Sequence, residues 1–215
     1  MGKNIIITIS RQFHSGGMTL GKKLAEYLDI SYYDKEIMQK VAQELHMSPE
    51  FFQDANMDGD GFYSIGVPGL GLSSLTDLSV NAQLTDKARE LIQGIADRES
   101  AVIIGRAADG LLAPDTPQIS VFVKASMKDR IKATMEAENV SYRKAKKRIR
   151  EVDNQRRKCC EMAGRTGWGK EDTYDVVIDL SSTSEKDAIH QLARLYDQRL
   201  GYRTLKGGYS GQYEA

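Results

Sequence analysis

Short runs of β-branched and other apolar residues alternate along this chain with stretches whose apolar positions recur every three or four residues. Ile5–Ile9, Ile30–Tyr33, Ala101–Ile104, Ile119–Val123 and Val176–Leu180 read as strands. The run Ile5–Ile9 is apolar on nearly every position, the pattern of a strand buried on both faces. Between the strands the helical period returns. Thr19–Leu28 puts Leu20, Leu24, Ala25 and Leu28 on one face. Asp34 precedes a helix from Lys35 to about Leu45, carrying Ile37, Met38, Val41, Ala42 and Leu45. Thr85–Glu99 is helical, Ser141 opens a long basic helix to about Cys160, and a last helix ends before Gly201. Ser126 with Asp129, and Ser184 with Asp187, have the spacing of N-terminal capping boxes. Strands alternating with helices predict an α/β fold, a parallel sheet covered on both faces. Residues 56–72 hold Gly59, Gly61, Gly66, Gly69 and Gly71 and read as a mobile loop outside the core. The tail, residues 201–215, lacks periodicity and reads as loose.

With 215 residues the chain suffices for one such domain with a lid or insert. Lys and Arg number 30, as do Asp and Glu, so the formal net charge is zero. A general nucleic-acid binder carries excess positive charge, so that class is set aside, while a local basic pocket is not. Cys159 and Cys160 are adjacent, which disfavours disulfide geometry and gives no zinc-site spacing. The opening apolar run spans about five residues, short of a secretory or membrane segment. A soluble, cytoplasmic protein without membrane contact is expected.

Ligands in parallel sheets bind at the carboxyl ends of the strands. Here those ends carry Ser10–Gly17, Tyr33-Asp34, Gly105-Arg106 and Lys124. The first is a buried strand leading through Ser15-Gly16-Gly17 into a helix. Converging backbone amides and a helix N-terminus suit a phosphate, and Thr19 sits where a P-loop hydroxyl reaches Mg²⁺. Aligned on Gly17 and Thr19, the lysine position holds Met18 and the first glycine position Gln12. A second register, Gly16 to Gly21-Lys22, matches the spacing formally but places Gly21 and Lys22 inside the helix. Arg11, just before the turn, is a candidate substitute for the missing charge. An ordinary strand–turn–helix connection is the alternative.

Further motifs follow in order: Ile9-Ser10-Arg11, Ser15-Gly16-Gly17, Leu20-Gly21-Lys22-Lys23-Leu24-Ala25, Tyr33-Asp34, Val102-Ile103-Ile104-Gly105-Arg106, Trp168, and Tyr174-Asp175 before Val176-Val177-Ile178-Asp179. Together they resemble the cytidylate kinases, and more closely a divergent cytidylate-kinase-like branch, over about residues 4–196. The resemblance implies a P-loop NTPase-like three-layer sandwich with a five-stranded parallel sheet. It implies one domain over 1–200, with an acceptor-binding insert at about 35–98 and a helical lid at about 141–172. The implied reaction is ATP- and Mg²⁺-dependent phosphoryl transfer to a nucleoside monophosphate, CMP or dCMP.

By the same resemblance, Arg106 grips the acceptor phosphate, where a guanidinium binds in a fork. A surface ion pair with Asp109 is the competing reading. Lys40 and Asp34 fall on acceptor-binding positions, Asp34 equally suited to capping its helix. On the basic helix, Lys146, Arg150, Asp153 and Arg157 share one face, with Tyr142, Ala145, Ile149 and Val152 as the apolar stripe beside them. The lid arginines closing on the transferring phosphates map to Arg150 and Arg157, with Arg156 as the alternate. Arg11, Ser15, Gly16, Gly17, Met18 and Thr19 form the ATP site, Thr19 also the metal site; Asp34, Lys40, Arg106, Asp153 and Arg156 form the acceptor site. The chain departs from the family at Met18 and at Ile104, where an acid precedes Gly-Arg. A catalytically weak nucleotide-binding sensor, or a kinase for another small metabolite, therefore stands beside the enzyme reading. A small-molecule nucleotide is the expected partner, and monomer and homodimer are both open.

Overall fold

The structure, a computed structural model, describes residues 4–34, 37, 40, 44, 75–105 and 107–201; for 75–81, 84 and 162 it describes the backbone alone. The glycine-rich stretch 56–72, the tail beyond Gly201, and Arg106 lie outside the described residues.

The strands are β1 (Ile6–Arg11), β2 (Ser31–Tyr33), β3 (Ala101–Ile104), β4 (Gln118–Lys124) and β5 (Val176–Asp179). The helices are α1 (Gly17–Leu28), α2 (Leu75–Arg98), α3 (Ala108–Leu111), α4 (Met127–Glu138), α5 (Tyr142–Met162) and α6 (Glu185–Leu200), with a 3₁₀ turn at Glu171–Thr173. Positions 37, 40 and 44 are also helical. All five strands run parallel in the order β2-β3-β1-β4-β5. β1 lies at the centre, Ile6 opposite Ala101 on one side and Gln118 on the other.

Alternation of side chains along β1 builds a core on each face. Ile5, Ile7 and Ile9 join Leu20 and Leu24 of α1 with Leu192 and Tyr196 of α6. Ile6 joins Ile103, Ile92 and Ile95 of α2 and Leu111 of α3 on the opposite face. A third cluster joins Phe13 to Ile131 of α4 and Ala145, Ile149 and Val152 of α5. That cluster seats the α4–α5 pair over the turn leaving β1. Tyr142, expected in the α5 stripe, is exposed instead; the stripe begins one turn later at Ala145.

Both capping boxes form, with Ser126 Oγ accepting from the Asp129 amide at 3.1 Å and Ser184 Oγ from the Asp187 amide at 3.1 Å. Two boundaries shift near the turn. β1 runs two residues past Ile9, because its pairing with β4 persists to Arg11 opposite Val123. α1 starts at Gly17, so Met18 and Thr19 occupy its first turn. Among the described residues no helix is long and apolar enough to cross a membrane.

Candidate functional site

Between β1 and α1 the chain makes a tight bend. His14 takes a left-handed conformation (φ 52°), as does Gly16 (φ 86°), where glycine carries no Cβ penalty. Gly17 is required by contact: a Cβ there falls 2.7 Å from Arg11 Cβ and 3.1 Å from Val123 Cβ. α1 begins with no side-chain cap and no acidic residue in its first turn. Its leading amides, with the positive end of the helix dipole, are therefore open to an anion. Ser15 is buried, and its Oγ has no hydrogen-bond partner among the described residues. A buried hydroxyl in that state is costly unless a ligand or water completes it. Met18 is 53% exposed and does not plug the bend, and Thr19 is exposed beside it.

The alternative register fails on packing. Gly21 lies inside α1, where a Cβ meets Ile104 Cδ1 at 2.3 Å, and Lys22 is exposed. Lys23 pairs with Glu185 of α6 on the surface.

The bend is held from above by α4 and α5. Asp153 Oδ1 accepts from the Phe13 amide at 2.8 Å, and Asp153 Oδ2 pairs with Arg130. Arg130, buried on α4, also donates Nε to the Phe13 carbonyl at 2.8 Å. Arg156 donates Nη1 to the Arg11 carbonyl at 2.9 Å and lies 5.7 Å from the Phe13 ring centroid. Thus α5 reaches the loop through Asp153 and Arg156.

Arg150 and Arg157 are not brought there. Both are exposed, and Arg157 bonds Asn154 on its own helix. The reason is helical phase: the buried stripe runs Ala145, Ile149, Val152, Arg156, Cys160, and residues 150 and 157 sit roughly 100° or more from its centre. Asp153, expected at the acceptor, grips the loop backbone and Arg130 instead.

A narrow cleft at the ends of β1 and β3 is lined by Ser10, Arg11, Gly105, Ala107, Arg156, Cys160 and Trp168. Trp168 packs edge-on against Phe122 with ring centroids 5.1 Å apart. Burial pushes the Cys160 thiol up, followed by the nearby Asp109 carboxylate. Asp109, the ion-pair partner offered for Arg106, is not on the surface, and Arg106 itself lies outside the described residues. Asp109 is buried on α3, with Arg165 Nε 3.0 Å from its Oδ2. Burial raises the Asp109 carboxyl above its ordinary range, and Arg165 opposes that shift. Arg165 also bonds the Thr173 carbonyl and sits 5.4 Å from the Tyr174 ring. Burial, then Asp109, pushes the Tyr174 phenol up to about 12.

At the β2 end, Asp34 is buried and Lys40 exposed. Glu99 accepts from Ser31 and, at 2.8 Å, from Tyr33. These bonds, Ser31 first, hold its carboxyl below the usual range, with Arg98 and Lys40 adding charge. Arg130 and Arg165 escaped the reading of the sequence, and Asp109 and Cys160 entered it only as a surface ion-pair partner and as one of two adjacent thiols. No motif marks them; each matters through burial against a distant segment. Among the described residues no group of three or more His, Cys, Asp or Glu is placed to hold a metal.

The strand order, the central loop and the helix pair above it point one way, and comparison with known proteins decides it. The model of the cytidylate kinase-like family matches residues 6–182. The chain belongs to the cytidylate kinase-like family. A cytidylate kinase of Methanopyrus kandleri is 23% identical over 202 residues, spanning 92% of this chain and 95% of that protein. Among solved structures, an uncharacterized protein from Eubacterium ventriosum is 26% identical with a TM-score of 0.66, over 90% of this chain and 99% of that one. A shikimate kinase from Bacteroides thetaiotaomicron shares 13% identity with a TM-score of 0.50, over 90% and 98% of the two chains, a likeness of fold alone. The fold is therefore α/β of the P-loop NTPase type.

Proposed function

We propose that this protein transfers the γ-phosphoryl group of ATP to a nucleoside monophosphate, CMP or dCMP. The uncapped amides at the start of α1, beside the uncompleted buried hydroxyl of Ser15, carry the reading. Membership of the cytidylate kinase-like family supports it and supplies the acceptor class. The donor set suits a nucleotide polyphosphate: amides for the phosphate oxygens, and the Thr19 hydroxyl on the first turn of α1 for Mg²⁺. Mg²⁺ in such sites takes few protein ligands and arrives with the nucleotide, so a dense acidic cluster is not required. The acceptor phosphate is assigned to Arg106, with Asp34 and Lys40 at the β2 end. The α4–α5 pair is assigned as the lid. Phosphoryl transfer needs positioning and charge neutralisation rather than an acid or base, which these residue types provide.

A second reading, a nucleotide-binding sensor with little turnover, is favoured by one observation. The lysine position holds an exposed Met18, and the acid position before Gly105 holds buried Ile104. The test incubates the full chain with Mg-ATP and a panel of CMP, dCMP, UMP, AMP and shikimate while ADP is measured. Turnover with CMP or dCMP, lost in Arg106→Ala, supports the kinase. Nucleotide binding without acceptor-dependent ADP supports the sensor. Turnover with shikimate alone moves the acceptor outside nucleotides, and absence of nucleotide binding refutes both readings.

A further inference from the structure

The lysine that normally serves a phosphate loop is absent, yet a cation is built into this loop by another route. β1 continues to Arg11, so that residue is held in register opposite Val123 rather than loose in the turn. Its stem passes beneath the start of α1, which is why a Cβ at Gly17 falls 2.7 Å from Arg11 Cβ and 3.3 Å from Cγ. Its guanidinium ends over Gly105, where a Cβ falls 1.8 Å from Nη1. Gly105 also has φ 65°, so two constraints select glycine there. Arg11 is only 6% exposed and Arg156 7%, and both line the cleft with Gly105 and Trp168. Arg156 fixes the seat by donating to the Arg11 carbonyl at 2.9 Å.

A guanidinium is always charged in a protein. Arg11 and Arg156 therefore bring two permanent positive charges to the lining of the cleft at the ends of β1 and β3. The uncompleted Ser15 hydroxyl lies in the loop leaving β1 and independently marks a place for a polar ligand.

We propose that Arg11 is the fixed cation for the polyphosphate in this site, in the role a lysine at position 18 would take, with Arg156 as the residue that positions it. The proposal rests on reading the loop as a nucleotide phosphate site. It differs from a lysine site in kind: the charge comes from beneath the loop, on a stem buried in the fold, rather than from a side chain folding back from the helix. Gly105 is then required because it makes room for that guanidinium.

Trp168 is the single tryptophan of the chain and lines the cleft, so its emission reports occupancy. The full-length protein is titrated with Mg-ATP and, separately, with inorganic tripolyphosphate. Arg11→Gln is expected to weaken both by about tenfold to a hundredfold, the loss of one charge-assisted fork. Met18→Lys is expected to recover most of that loss in the Arg11→Gln background and to add less than about threefold in the unaltered chain, where the charge is already present. Unchanged binding in a folded Arg11→Gln protein overturns the proposal. If Arg11→Gln does not fold, the single Met18→Lys variant decides: a large gain in affinity means position 18 was an empty cation seat and overturns it, and a negligible gain supports it. Mg-ATP binding insensitive to Arg11 leaves the nucleotide reading standing and removes this one. Arg11-dependent tripolyphosphate binding without ATP binding does the reverse. No response to either ligand removes both.

Discussion

Asp153 ties α5 to the loop leaving β1, and its removal gives the sharpest test of that architecture. In Asp153→Ala the Phe13 amide loses its acceptor and Arg130, 2% exposed, loses its counter-ion. Removing one partner of a buried pair costs about 3–5 kcal/mol, because the other charge remains desolvated. Asp153 keeps 17% of its side chain exposed, and Arg130 retains the Phe13 carbonyl. The lower end, about 3 kcal/mol, is therefore expected. In a domain of this size that corresponds to a fall of roughly 6–12 °C in Tm. Thermal melts followed by circular dichroism measure it. Asp153→Asn, which keeps an acceptor for Phe13 but still leaves Arg130 without its counter-ion, is expected to lose somewhat less, about 2–3 kcal/mol. Arg130→Met combined with Asp153→Leu is expected to be more stable than Asp153→Ala, since no buried charge is stranded. A Tm for Asp153→Ala within about 2 °C of the unaltered chain would refute the reasoning. So would strict additivity of the Arg130 and Asp153 substitutions, which denies that the two residues act as a pair.

Three further outcomes are expected. Burial raises the Asp109 carboxyl above its ordinary 3.8, so the folded protein binds the more protons in that window and loses stability as pH rises through it; urea melts between pH 4 and 7 should show a falling contribution that disappears in Asp109→Asn, and an identical pH profile for both proteins would contradict it. Of the two thiols, Cys159 is half-buried and Cys160 buried with its thiol pushed up. A thiol-specific disulfide reagent at pH 8 should label Cys159 first, with Cys160 reacting only on unfolding; equal rates in the native protein would contradict the packing of α5. Gly105→Ala places a Cβ against the Arg11 guanidinium at a positive φ, a strain of about 1–3 kcal/mol. Its melting temperature should fall and tripolyphosphate affinity should drop with it, while a neutral substitution would mean the turn relaxes freely.

The strands, the parallel sheet and the loop after β1 were legible in the chain because their signals are local. A β-branched run, a Ser-Gly-Gly turn and a three-to-four-residue apolar period each act within a few residues. The ordered motifs from Ile9-Ser10-Arg11 to Tyr174-Asp175 carried the family as well. Helical phase was legible only in part: periodicity grouped Arg150 with Arg157, but which side of α5 meets the loop depended on where Phe13 lies in the folded chain. Arg156, one residue from Arg157, is buried because α5 packs on Phe13 and Ile131. Asp109 and Arg165 stand 56 positions apart in the numbering and meet only because α3 packs beside the end of α5. The sequence places Arg11 between strand and turn; pairing with β4 carries the strand through it. Elements follow from short-range patterns of polarity and backbone freedom, whereas the direction a buried charge faces is set by long-range packing, which fixes the low-dielectric surroundings and partners that make burying it tolerable.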